Sequence, residues 1–215
     1  MGFYEPDMEK MDRNRIENLQ DRKLRHVISR AYKNMKMYHD KFDKIQLDRI
    51  KGLKGLEKMP FTTKDDLRSY SLNERLAVPE VELVRYYCSE TGERPIVFGS
   101  TPQDLETQSI CCAKSFCCAT INKEDKVLQI LPSGLFPIWF AQLGLQKLGA
   151  KVIHTLPGRT KELQIAILQG KFGKEMKPTA AFGLAHYLLR IAEVAREEGI
   201  DPGDFGLRFI GGDAI

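Results

Sequence analysis

The stretch "KVLQILPSGLFPIWFAQLGLQKLGAKVIHT", Lys126–Thr155, decides the fold. Within it "KVLQILP" is an apolar run of strand length, "PIWFAQLGLQKLG" has helix length and closes on Gly149, and "AKVIHT" is a second strand. The alternation continues downstream. "TKELQIAILQGKFG" reads as a helix, "PTAAFG" as a strand, "LAHYLLRIAEVAREEG" as a long helix closed by Gly199, and "LRFIGG" as a last strand. Strands alternating with helices of this length call for right-handed crossovers, which give a parallel sheet covered by helices. The expected class is therefore α/β, with a mostly parallel, helix-covered sheet.

Upstream the period changes. From Arg13 to Phe42 apolar residues recur at Ile16, Leu19, Leu24, Val27, Ala31, Met35, Tyr38 and Phe42 against a charged opposite face, and Asp12 is placed to cap the helix. A glycine-punctuated connector, "IKGLKGLEKMPF", leads to "TTKDDLRSY", a helix start with Thr62 or Thr63 as cap and Asp65 and Asp66 in the first turn. The expected organisation is a helical N-terminal layer over residues 1–76, then an α/β unit over 77–215.

The 215 residues are 42% hydrophobic and 29% charged, with a net charge of +4 spread along the chain rather than gathered into a run. That distribution argues against nucleic acid as the partner, because a surface that tracks phosphates needs clustered cations. "MGFYEPDMEK" lacks the apolar core of a signal peptide, Pro6 stands where a myristoylation signal wants Ser or Thr, and no apolar run reaches membrane-spanning length. A cytoplasmic protein without a membrane partner is expected, and five cysteines suit that reducing compartment. Four of them form "CCAKSFCC", Cys111, Cys112, Cys117 and Cys118, without the C-x-x-C spacing of a zinc knuckle. Buried packing on a helix is favoured for them over a metal, and no metal site is expected.

Ligands of parallel sheets bind beyond the carboxyl ends of the strands. Here those ends carry Ser133-Gly134, Pro157-Gly158, Gly183 and Gly211-Gly212. His154 and His186 also fall near strand ends, where a lone histidine is more often a hydrogen-bonded structural residue than a base. Ser133 lacks the G-x-S-x-G context of a hydrolase nucleophile. The final "FIGGDAI" stops just after a strand, so the native chain is expected to continue past Ile215 or to be a truncated relative of a longer one.

Several stretches together resemble the phenylacetate–CoA ligase family, a branch of the adenylate-forming enzymes. They are "LQDRKLRHVISRAYKNMKMYHDKF", "MPFTTKDDLR", "AVPEVELVRYYCSETG", "FGSTPQDLET", "KLGAKVI" and "LRIAEVAREEGIDP". The resemblance runs through nearly the whole chain but corresponds to the front half of a family member. It implies activation of an aryl carboxylic acid by ATP and magnesium as acyl-AMP, then transfer to coenzyme A. Family members are often dimeric, which leaves a homodimer open. The methanogen synthetase that adenylates a deazaflavin coenzyme is also similar to this family and is a close alternative.

The family's phosphate loop is approximately S-S-G-T-T-G-K-P-T, and the matching positions here are Cys88, Ser89, Glu90, Thr91, Gly92, Glu93, Arg94, Pro95 and Ile96. Ser89, Thr91 and Pro95 match, and Arg94 keeps the cationic position, so the resemblance makes Ser89, Thr91 and Arg94 candidate nucleotide contacts. Glu90 and Glu93 replace both glycines, which removes backbone freedom and adds carboxylates beside a polyanion. Gly92 restores one bend if the loop is shifted by a residue. "FIGGDA" is similar to the family's adenine-contacting strand end, which makes Gly211, Gly212 and Asp213 candidate adenine neighbours; a plain strand and turn is an equal reading of the residues alone. By the same resemblance Phe136 and Tyr187 fall on matching positions and are expected to flank an aromatic acid, while Trp139 stands where the family often places a small residue. Phe136, Trp139 and Phe140 read equally as a core helix face. The family's aromatic-Gly-x-Thr-Glu motif, ribose-binding Asp and C-terminal lysine have no counterpart before Ile215, so this chain alone is expected not to turn over substrate. A degenerate homologue acting as a binding protein is the further alternative.

Overall fold

The computed structural model describes residues 2–43, 45, 47, 50, 52–89, 94–130, 136–154 and 161–213, with 136–138 and 213 described by backbone alone. The chain divides into two compact units, residues 6–104 and residues 105–215 together with 1–5.

The first unit carries helices α1 (Pro6–Glu9), α2 (Arg13–Asn34), α3 (Lys36–Phe42) and α4 (Lys64–Ser69), then strands β1 (Arg85–Cys88) and β2 (Val97–Ser100). Asp12 caps α2, its carboxylate accepting the Arg15 amide at 3.0 Å. The single helical run read from Arg13 to Phe42 is two helices, broken where Met35 turns extended (φ −112°, ψ 112°). The break gives α3 its own buried pair, Met37 and Phe42, whereas α2 has no fully buried residue. Of the two candidate threonines, Thr63 caps α4. Its hydroxyl accepts the Asp66 amide and Asp66 accepts the Thr63 amide, a reciprocal box that satisfies two otherwise free donors. Strands β1 and β2 form an antiparallel hairpin with Arg85 opposite Ser100 and Cys88 opposite Val97.

The second unit is the α/β body. Helix α5 (Pro102–Cys118), whose first turn lies in the first unit, is followed by β3 (Lys126–Ile130), α6 (Phe136–Lys147), β4 (Lys151–His154), α7 (Lys161–Leu168), β5 (Ala180–Leu184), α8 (Ala185–Glu197) and β6 (Phe209–Asp213). The four strands are all parallel in the order β4-β3-β5-β6. Side chains alternate across the sheet, so it is covered on both faces. Leu128, Ile130, Ile153 and Ala181 pack with Ile165 and Leu168 of α7 and Ile191, Val194 and Ala195 of α8. Val127 and Ala180 pack on the other face with Phe116 of α5 and Ala141 and Leu145 of α6. The α/β class read from the alternation is the observed one. Gly149 and Gly199, read as helix closers, stand just beyond α6 and α8 with φ of +73° and +75°. Among the described residues no helix is long and apolar enough to cross a membrane.

Candidate functional site

In the first unit the candidate residues lie at the two roots of the β1–β2 connection. Ser89 extends β1. Its amide donates to the Ile96 carbonyl at 2.9 Å, and its hydroxyl accepts the Ile96 amide at 3.1 Å. The hydroxyl retains its own proton for donation to a ligand. Ile96 is buried and anchors the returning limb, while Arg94 is exposed. Glu90, Thr91, Gly92 and Glu93 lie outside the described residues.

Two residues that sequence reasoning missed grip the returning limb. Arg68, on α4, donates through Nε to the Arg94 carbonyl at 3.3 Å and through Nη1 to Asp65 at 3.2 Å. Arg75, in a 3-10 turn over Asn73–Arg75, donates to the Tyr70 carbonyl at 3.2 Å and the Val97 carbonyl at 3.0 Å. Burial holds the Arg75 guanidinium below its usual range. Arg68 stood in view inside "TTKDDLRSY", but nothing local told which carbonyl it would reach. Arg75 carried no signal, because its partner is 22 positions away.

In the second unit the candidates gather at the carboxyl end of the sheet. Gly211, Gly212 and Asp213 pair in register with Phe182, Gly183 and Leu184, and α8 starts immediately after Leu184. Tyr187 stands in the first turn of α8, half exposed, with its ring 4.4 Å from that of His186. A side chain at Gly212 would put its Cβ 2.5 Å from the Gly183 carbonyl oxygen and 3.5 Å from the Ala185 amide nitrogen. Glycine there lets strand end and helix start approach each other. Leu184, the N-cap of α8, supplies no side-chain hydrogen bond, and the first-turn amides of the helix place partial positive charge at this edge. Backbone donors with partial positive charge suit an anionic group.

Phe136 opens α6 at the carboxyl side of β3, and its side chain lies outside the described residues, as does that of Asp213. Trp139 is half-buried and Phe140 buried. His154 is exposed at the end of β4, and Ser133 lies outside the described residues. On α5, Cys112 and Cys117 are half-buried, as a packing role predicts, whereas Cys111 and Cys118 are exposed. A single helix face cannot bury four cysteines that span more than half its circumference.

No family model matches the chain. A phenylacetate-coenzyme A ligase of Pseudomonas putida is 33% identical over 190 residues, which cover 86% of this chain and 42% of that protein. The enzyme of the same description from Aromatoleum evansii is 31% identical over 211 residues, covering 96% of this chain and 46% of the relative. Among solved structures, an open conformation of 2-hydroxyisobutyryl-CoA ligase in complex with 2-HIB-AMP and CoA matches 99% of this chain and 51% of its own, with a TM-score of 0.85 and 26% identity. The chain spans about half the length of the curated relatives it matches. By its sequence and its α/β fold, the chain is a homologue of the phenylacetate–CoA ligase family of adenylate-forming enzymes, corresponding to the N-terminal portion of its members.

Proposed function

We propose that the chain is the N-terminal portion of an ATP-dependent acyl-adenylating ligase, which activates an aryl carboxylic acid as acyl-AMP for transfer to coenzyme A. The observation that carries this reading is the glycine-lined carboxyl edge of the sheet, where Gly212 stands against the start of α8, the helix whose first turn carries Tyr187. In this reading the edge receives adenine and the acid, and Ser89, Thr91 and Arg94 are nucleotide contacts by the family resemblance. Phe136 and Tyr187 flank the aromatic acid, with magnesium as counter-ion to ATP. Catalysis in such a site is positioning and charge stabilisation, with no covalent enzyme intermediate required.

Equilibrium dialysis of ATP with magnesium against the chain, with and without phenylacetate, tests the reading. ATP binding that strengthens in the double variant Glu90→Gly, Glu93→Gly is the expected result, because two carboxylates leave the neighbourhood of a polyanion. Absence of ATP binding by both forms overturns it. A second reading, a binding protein that keeps the sheet without the chemistry, is favoured by one feature, the two glutamates standing where the family loop has glycine.

A further inference from the structure

The guanidinium bonds by which the two arginines grip the β1–β2 connection lie outside the helix and sheet ladders of the first unit. Arg75 is half-buried, and its acceptors among the described residues are two neutral main-chain carbonyls, Tyr70 at 3.2 Å and Val97 at 3.0 Å. Withdrawing a guanidinium from water onto neutral acceptors is an inefficient way to stabilise a fold, since each such bond returns less than a carboxylate would. It is an effective way to fix where a carbonyl stands, because the planar fork reaches two acceptors in set directions. Arg68 does the same one step nearer the loop, joining the Arg94 carbonyl at 3.3 Å to the Asp65 carboxylate at 3.2 Å. The opposite limb is closed by Ser89 on Ile96, so both roots of the connection are tied at Ser89, Arg94, Ile96 and Val97.

We propose that Arg68 and Arg75 are positioning residues for nucleotide phosphates: they hold the returning limb of the β1–β2 connection by the Arg94 and Val97 carbonyls, and so set where Ser89 and Arg94 meet a polyphosphate. This rests on the nucleotide-binding reading. Neither arginine touches the nucleotide; each acts through the main chain. The segment that carries them, "TTKDDLRSY" and the turn after it, is then a bracket for the loop. Its reciprocal Thr63–Asp66 cap fixes α4, and α4 fixes Arg68.

The test compares ATP with AMP, since both carry adenine and the α-phosphate but only ATP carries the β- and γ-phosphates that Ser89 and Arg94 would meet. The dissociation constants of the two nucleotides are measured by titration calorimetry on the wild-type chain, Arg68→Lys and Arg75→Lys. Lysine keeps the charge, loses the fork and is the variant least disruptive to folding. The wild type is expected to prefer ATP, and each variant to lose about tenfold of that preference with AMP affinity unchanged, the effect of misplacing a bound group by a fraction of an ångström. A merely structural role would lower the thermal midpoint and weaken both nucleotides together, leaving the ratio intact. If the wild type prefers ATP and both variants keep the full preference, the positioning role is overturned while the nucleotide reading stands. If the wild type does not distinguish ATP from AMP, the nucleotide reading falls and the positioning role with it.

Discussion

Arg208 and Asp125, 83 positions apart, form a two-pronged ion pair at the amino end of the parallel sheet. Arg208 Nε donates to Asp125 Oδ1 at 2.7 Å, and its Nη2 donates to Oδ2. The same carboxylate accepts the Thr179 hydroxyl at 2.7 Å and the Asn122 amide at 2.9 Å. Arg208 also reaches the Thr120 hydroxyl and carbonyl at 3.0 and 2.9 Å. One buried carboxylate thereby ties together the segments that enter β3, β5 and β6, at the sheet end opposite the candidate adenine edge.

Arg208→Ala is expected to destabilise the chain by about 2–3 kcal/mol, read as a lower midpoint in urea. Asp125 is only 2% exposed and would be left charged with fewer partners; the loss stays below the ~3–5 kcal/mol of a fully buried pair because the Arg208 side chain is 39% exposed. An unchanged midpoint would show that water replaces the guanidinium at no loss.

Acid sensitivity follows from carboxylates held in their charged form. Burial pushes Asp125 up, but the hydrogen bonds from Arg208, Thr179 and the Asn122 amide outweigh it and bring the carboxyl below its usual range. At Asp66 the hydrogen bond from Lys41, aided by the Thr63 amide and hydroxyl, brings the carboxyl from 3.8 to about 2. Each group binds its proton more readily in the unfolded chain. Its contribution to stability is therefore present above the ordinary aspartate value and is lost as pH falls through the folded one. The difference in thermal midpoint between wild type and Asp66→Asn should hold from neutral pH down toward the ordinary aspartate value of 3.8 and shrink as pH falls from there toward about 2. A difference that stays constant with pH would contradict this.

Gly212→Ala should destabilise the chain by about 1–3 kcal/mol with no nucleotide present, because the new Cβ would stand 2.5 Å from the Gly183 carbonyl oxygen and backbone must shift to admit it. Thermal unfolding of the unliganded variant checks this. An unperturbed midpoint would mean that the glycine is needed only for a ligand.

Thiol labelling should separate the cysteines of α5. Cys111 and Cys118 are exposed, whereas Cys112 is half-buried, burial raises its thiol above the usual range, and its Cβ faces Gly144 of α6 so closely that a side chain there would come within 2.5 Å. Mass spectrometry after brief alkylation should find Cys111 and Cys118 modified well before Cys112. Equal rates would mean that α5 and α6 separate readily in solution.

Much of the second unit was legible in the sequence because its elements are specified locally. The strands of the sheet are apolar runs of four or five residues, α8 is amphipathic, and Gly149 and Gly199 stop their helices by adopting a backbone few other residues tolerate. The cap at Asp12 was legible for the same reason, as donor and acceptor lie three positions apart, whereas the choice of Thr63 over Thr62 and its box with Asp66 came from the structure. The break at Met35 was not legible either, since helical periodicity continues on both sides of it and only the burial of Met37 and Phe42 shows that α3 packs in its own phase.

By itself, then, the sequence determined the α/β class, the order of strands and helices from Lys126 onward, and the kinship with phenylacetate–CoA ligases, because each is written in short-range pattern or in matched stretches. Tertiary structure alone decided that the sheet runs β4-β3-β5-β6, that Arg208 secures Asp125, that Gly212 meets the Gly183 carbonyl, and that Arg68 and Arg75 hold the Arg94 and Val97 carbonyls. Those partners are set by which segments come to lie side by side once apolar faces are buried, and separation along the chain carries no record of that.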